Sequence, residues 1–337
     1  MPDMRILLTG GGGFVGARLA REILQHGLNG QPVTELVIAD LFAPPPDLLA
    51  DPRVRAEAGP MLAQTSLFAS GFDGVFHLAS AVSGECELDF ELGLRSNLDS
   101  TRALLEGLRQ SGTVSRLVFA SSVAVYGPVN GQAMPALVTD HTLPSPQTSY
   151  GTHKLMSEYL IADYTRKGFI DGRSARLMTV VVRPGKPNGA ASSFFSGIIR
   201  EPLAGVDTVC PVDPDVTHPL ASPANTIAGL MAVYQAPAEA MGGRLALNLP
   251  GLNVRVGDML DALADVAGPT VRNRVRFERD ERIAGIVSNW ARGARAERAA
   301  ALGLQPDPSF KAIVEQYIAD CRSRPGYPAH ALSGLDG

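Results

Sequence analysis

The stretch that most constrains this chain is Arg5 to Gly16, RILLTGGGGFVG, which runs directly into Ala17-Arg18-Leu19-Ala20-Arg21-Glu22-Ile23-Leu24. A short apolar run ends in a glycine-dense turn, and a helical pattern starts there. Gly10, Gly13 and Gly16 stand three apart. Glycine at such a turn removes the Cβ that would block it, lets backbone approach a bound group closely, and packs helix tightly on strand. The helix start adds free N–H groups and a positive dipole end, which suit an anion. The spacing therefore points to a dinucleotide pyrophosphate cradle made by Gly10, Gly13, Phe14, Val15 and Gly16. A plain structural turn is the bland alternative.

The following segments decide between them. Glu35 to Ala39 reads as a second strand ending at Asp40, the place where a dinucleotide-binding fold holds the adenosine ribose. A carboxylate there repels a 2′-phosphate, so NAD is expected rather than NADP. Gly74 to Ala79 is an apolar strand closing in small residues, and Leu78 and Ala79 are expected to let the cofactor pass close. Phe90 to Gln110 reads as a helix, and Arg116 to Ala120 as a strand ending in Ser121-Ser122. A proline-rich loop leads to a helix from Ser149 to about Lys167, and Arg176 to Val182 reads as a further strand. Strand and helix alternate from residue 5 to 183, the pattern of an α/β doubly wound parallel sheet, a Rossmann fold. Residues 1–183 are expected to form the NAD-binding domain. Residues 184–337 are expected to form a smaller mixed substrate region, with about 222–250 returning to the sheet.

Bulk properties narrow the class. With 337 residues, net charge −4 and no basic run, nothing calls for nucleic acid as a partner. Cys86, Cys210 and Cys321 lack metal or disulfide spacing, so no metal is expected and reduced thiols suit a cytoplasmic protein. No apolar run reaches membrane length, and the start of the chain shows no leader pattern.

Tyr150 and Lys154 stand four apart on one helix, so their side chains share a face. A phenol is a poor base at neutral pH. A nearby ammonium and the positive ring of an oxidised nicotinamide favour its phenolate. Ser122, at a strand's carboxyl end, is placed to hydrogen-bond the same substrate oxygen. Ser122, Tyr150 and Lys154 are the expected catalytic set.

TGGGGFVG, Asp40, HLAS, FASSVAVYG and YGTHK together resemble the extended short-chain dehydrogenase/reductase family, which includes NDP-sugar epimerases and dehydratases. The resemblance implies that Tyr150 and Lys154 also touch the cofactor, Lys154 on the nicotinamide ribose. It implies that Asn97 helps hold the active site or a proton-relay water, and that such chains pair as homodimers. Two stretches depart from the sugar-nucleotide members: Arg183 to Phe194, RPGKPNGAASSF, and Val216 to Pro223, VTHPLASP. With SAVSGE (80–85) and NLPGLNV (248–254), the first resembles instead the D-erythronate dehydrogenase subgroup. That implies NAD-dependent oxidation of a four-carbon sugar acid at C2, with a homodimer and a small-molecule substrate as its partners. Such an acid needs a carboxylate clamp, for which Arg200 with Ser192 or Ser193 is the expectation, and Lys186 and His218 are weaker candidates. The rivals are an NDP-sugar epimerase or dehydratase with tightly held NAD, and a non-catalytic NAD-sensing scaffold.

Overall fold

A computed structural model of the chain describes residues 4–129, 131–185 and 190–335. The strands, in chain order, are β1 (Arg5–Thr9), β2 (Glu35–Asp40), β3 (Val54–Ala58), β4 (Gly74–His77), β5 (Arg116–Ser122), β6 (Asp171–Leu177), β7 (Thr179–Val180), β8 (Thr208–Cys210), β9 (Thr217–Ala221), β10 (Leu247–Asn248), β11 (Leu252–Arg255) and β12 (Val275–Phe277). The longer helices are α1 (Phe14–His26), α2 (Ser100–Ser111), α3 (Ser149–Arg166), α4 (Ser193–Leu203), α5 (Pro223–Gln235), α6 (Val256–Arg272) and α7 (Phe310–Ser323).

Seven parallel strands form the main sheet in the order β10-β6-β5-β4-β1-β2-β3. The strand order reverses between β1 and β4, and the crevice outside their carboxyl ends is where an open α/β sheet binds its ligand. Alternate residues of β1 divide the core. Ile6 and Leu8 pack with α1 and α5, whereas Leu7 packs with Leu104, Leu105 and Leu108 of α2 and Ile161 of α3. Helices therefore cover both faces, which is why these strands are continuous apolar runs rather than alternating ones. β10 pairs with β6, and α5 packs on β5 and β6, so residues 223–248 lie in the layers of the main sheet. A second core, with Phe195, Ile199, Met259 and Val314, joins α4, α6 and α7 beside the small sheets β11-β9-β7 and β12-β8. α7 also reaches back to the first helix: Arg18 of α1 donates to Asp320 at 2.5 Å, both side chains less than a tenth exposed.

Two elements differ from the sequence reading. The strand expected over Arg176 to Val182 begins at Asp171 and breaks after Leu177, with β7 joining the other sheet. Its polar start, Asp171-Gly172-Arg173-Ser174, hides strand character because Arg173 is buried capping the end of α5. Its guanidinium donates to the Val233, Tyr234 and Ala236 carbonyls. The helix expected over Phe90 to Gln110 is broken by a π-helical turn, Leu94–Asp99. Such turns gather at functional sites, and this one carries Asn97.

Candidate active site

The glycine turn is steric at two positions. A Cβ on Gly16 would sit 2.1 Å from the Gly10 carbonyl, and one on Gly10, at φ +78°, would sit 2.6 Å from the Ala79 nitrogen. Gly10 thus lets the turn rest against Leu78 and Ala79, and Gly16 lets α1 start against the turn. Gly13 is different. It is exposed, and a Cβ there would meet only the Gly10 carbonyl, at 3.4 Å, an ordinary contact. Nothing inside the protein demands glycine at 13, which leaves open backbone at the start of α1 facing outward. No acidic residue stands in the first turn of α1. Asp40 closes the cradle, its carboxylate accepting the Gly12 N–H at 2.8 Å and the Phe42 N–H at 3.2 Å. Gly10, Gly13, Gly16, Asp40, Leu78 and Ala79 therefore converge at the reversal of the sheet. Phe14 and Val15 are half-buried at the start of α1.

The chemical groups meet one strand away. Thr148 caps α3 by accepting the Gly151 N–H at 3.0 Å. A Cβ on Gly151 would lie 2.2 Å from the Ala124 carbonyl, so the start of α3 presses on the turn that follows β5. That packing brings Tyr150 to Ser122. The Ser122 Oγ accepts the Ala124 N–H at 3.1 Å, leaving its proton for a hydrogen bond to the phenol. Lys154 is buried, its Nζ donating to the Ala120 carbonyl at 2.8 Å and standing 5.5 Å from the centre of the Tyr150 ring.

The electrostatics qualify the expectation that Lys154 makes Tyr150 a base. Burial pushes Tyr150 up to about 12, the Ser122 hydrogen bond pulls it down, and the Cys86 thiol pushes it up. Burial pulls Lys154 down to about 8, opposed by Cys86 and Glu158. Burial outweighs the Ser122 hydrogen bond, so the protein alone keeps the phenol protonated.

Asn97 is 4% exposed, and both ends of its amide are committed. Its Oδ1 accepts the Ala81 N–H at 2.7 Å and the Ser80 hydroxyl at 3.1 Å. Its Nδ2 donates to the Ala81 carbonyl at 3.2 Å and the Cys86 sulfur at 3.3 Å. The amide thus has a partner for each of its donors and lone pairs, and it fixes the loop after β4.

Ser192 and Ser193 open α4, but Arg200 does not join them as a clamp. It is 7% exposed, donates to the Arg183 carbonyl at 2.8 Å and pairs with Glu201 at 2.5 Å. Its charge is already answered. Arg183 is half-buried, its N–H held by Ser196 Oγ at 3.1 Å, and among the described residues its guanidinium has no acidic partner. Burial and the charge of Arg200 depress it. His218 is structural: it lies between Thr179 Oγ1 at 2.8 Å and the Ala291 carbonyl at 2.9 Å, stacked on Phe195 and pulled down to about 4 by burial. Lys186 lies outside the described residues.

The sequence reading missed what stands behind the site. Glu158, one turn beyond Lys154, takes a bidentate pair from Arg176 at 2.9 and 2.6 Å and a hydrogen bond from Ser121 at 2.5 Å. Arg176 also donates to the Tyr126 hydroxyl at 2.7 Å, which reaches Asn248 at 2.9 Å. The four-residue spacing of Tyr150, Lys154 and Glu158 was the available signal. Cys86 had none.

With this geometry, comparison with known proteins is informative. Residues 6–239 match the NAD dependent epimerase/dehydratase family. The chain belongs to this family. Its members' NAD is the cofactor the cradle fits: open backbone at Gly13, an anion-ready helix start and a ribose-side carboxylate. The chain is similar to the D-erythronate dehydrogenase of Cupriavidus necator, 48% identical over 94% of this chain and 98% of that one. It is also similar to the D-erythronate dehydrogenase of Haemophilus influenzae, 40% identical over 94% and 99%. Among solved structures it resembles the nucleoside-diphosphate-sugar epimerase from Agrobacterium tumefaciens, with TM-score 0.89, 39% identity and 94% of each chain covered. This epimerase/dehydratase family member is an NAD-dependent enzyme.

Proposed function

We propose that the enzyme oxidises the C2 hydroxyl of a four-carbon sugar acid, D-erythronate, to 2-dehydro-D-erythronate. The chemistry rests on the hydrogen-bonded Ser122 and Tyr150 with Lys154 beneath them. The choice of substrate rests on the full-length similarity to two D-erythronate dehydrogenases. Gly10, Gly13, Phe14, Val15, Gly16 and Asp40 would hold NAD, with Leu78 and Ala79 lining it, and the bound cofactor would supply the hydride acceptor and a positive charge that favours the phenolate. Tyr150 takes the C2 hydroxyl proton, and Ser122 donates a hydrogen bond to the developing alkoxide. Lys154, which has two further N–H donors beside its bond to Ala120, would hold the nicotinamide ribose hydroxyls. The substrate carboxylate is received at the first turn of α4 by Ser192 and Ser193, with Arg183, which has no acidic partner among the described residues, in the place earlier given to Arg200.

Purified enzyme with NAD and D-erythronate is expected to generate the NADH absorbance at 340 nm. Silence with four-carbon sugar acids, together with turnover of a UDP- or dTDP-sugar, would overturn the reading in favour of the epimerase alternative.

We further propose a cytoplasmic homodimer. Two adjoining depressions of about 530 and 600 Å³ lie on the outer face of the π-turn, α2 and α3. Phe90, Met156 and Tyr159 are exposed around them, 58%, 46% and 54% respectively. An apolar face of this kind suits a second copy. Met156→Glu is expected to convert a dimer to a monomer in sedimentation; a monomeric unaltered protein refutes the dimer. The three cysteines are free and, among the described residues, no helix is long and apolar enough to cross a membrane.

A further inference from the structure

Behind the glycine turn, side chains that the chemistry above does not use are joined end to end. The Ala79 N–H donates to Thr9 Oγ1 at 3.3 Å, and Thr9 Oγ1 meets His77 Nδ1 at 2.7 Å. His77 Nε2 meets Thr101 Oγ1 at 2.9 Å, and Thr101 donates to the Asn97 carbonyl at 2.6 Å. Thr9, His77 and Thr101 are each no more than 1% exposed.

The direction of this chain is determined at its far end. A carbonyl accepts only, so the one hydroxyl proton of Thr101 goes to Asn97, and Thr101 must accept from His77 Nε2–H. A neutral imidazole carries one N–H, so Nδ1 is the acceptor and the Thr9 hydroxyl donates to it. Burial and the charge of Lys154 pull His77 down to about 3, so the ring is neutral at working pH. The His77 ring lies 5.4 Å from Phe119, on whose face Lys154 Nζ sits at 4.7 Å.

The other end of the loop is fixed from the same place. Asn97 holds Ala81 by both its N–H and its carbonyl. Residues 78–82 are therefore tied at 79 through Thr9, His77 and Thr101, and at 81 by the Asn97 amide. Both ties converge on one residue of the π-turn. The tied backbone is the part that fills the space beside Gly10.

We propose that His77 and Thr101 are positioning residues for the cofactor: as a fixed, one-way hydrogen-bond relay they set the loop 78–82 against the glycine turn. NAD affinity then depends on groups buried behind that loop. The inference rests on the cradle being the NAD site and is independent of which alcohol is oxidised.

The test is calorimetric NAD binding to the unaltered enzyme and to His77→Phe, Thr101→Val and Thr101→Ser. His77→Phe and Thr101→Val are expected to weaken NAD about tenfold, the scale of one lost buried hydrogen bond. Thr101→Ser, which keeps the hydroxyl, is expected to stay within about twofold of the unaltered enzyme. Nitrogen-15 spectra of the imidazole should show Nε2–H and no titration between pH 8 and 5. Unchanged NAD affinity in folded Thr101→Val overturns the relay, and so does a lowered thermal midpoint with affinity intact. A titrating or Nδ1–H ring overturns it as well. If the unaltered protein binds NAD but turns over no sugar acid, the substrate assignment fails and the relay stands; if it binds no NAD, both fall.

Discussion

Tyr150→Phe is expected to lower kcat by about 10³-fold or more while changing NAD affinity less than about threefold, since general-base catalysis is worth roughly 10²–10⁴. The phenol ring stays to fill its place at the start of α3, and only the hydroxyl that Ser122 addresses is lost. The pH profile supplies a second reading. Burial pushes the Tyr150 phenol up to about 12 before cofactor binds, so its deprotonated fraction grows with pH, and kcat/KM for the alcohol is expected to rise from pH 7 to pH 9. Over the same range Lys154, pulled down to about 8, loses its charge, which flattens the rise at the alkaline end. Stopped-flow NADH formation and calorimetric NAD binding measure the two effects separately. Near-normal turnover by Tyr150→Phe removes it from the base role.

Glu158→Ala is expected to destabilise the fold by about 3–5 kcal/mol, more than any single change at the exposed surface. Glu158 and Arg176 are 4% and 6% exposed along their side chains. Removing the carboxylate strands a guanidinium in the interior and frees the Ser121 hydroxyl. It also uncouples α3 from β6, directly beneath Lys154, so turnover falls in the fraction that remains folded. Chemical denaturation at pH 7.5 reads the stability loss. A change below about 1 kcal/mol would show that water replaces Glu158 and that the ion pair does not anchor the helix.

Much of the molecule was legible because its signals are local. The glycine spacing requires backbone that no other residue supplies, and Gly10 and Gly16 meet that requirement by distances below 3 Å. The strands β1, β2, β4 and β5 are covered on both faces and so read as uninterrupted apolar runs. The pairing of Tyr150 with Lys154 follows from a four-residue helical period, and the place of Ser122 from a strand end. What could not be read depends on contacts between distant residues. Arg173 and Arg176 look like surface residues in a strand until the carbonyls of α5 and the carboxylate of Glu158 are placed beside them. Arg200 looks like a free clamp until Glu201 is seen to answer it. His77 sits in an apolar strand with no hint that hydroxyls 68 residues before it and 24 after it flank its ring. The π-turn at Asn97 widens the helix by hydrogen bonding alone, which no residue type in Leu94–Asp99 announces.

The pair between Arg18 and Asp320 sets an order on the birth of the protein. Arg18 belongs to the second turn of the helix that opens on the cofactor, and its counter-ion lies 302 positions later. While the chain emerges from the ribosome, the amino-terminal sheet can assemble around its leucines, but that helix carries an unanswered charge on a surface meant to be covered. The charge is neutralised only when the last helix has been made and docked. A chain cut short before residue 320 keeps the packing of that helix on β1 but leaves Arg18 without its counter-ion, so the side of the helix turned from the sheet is covered last.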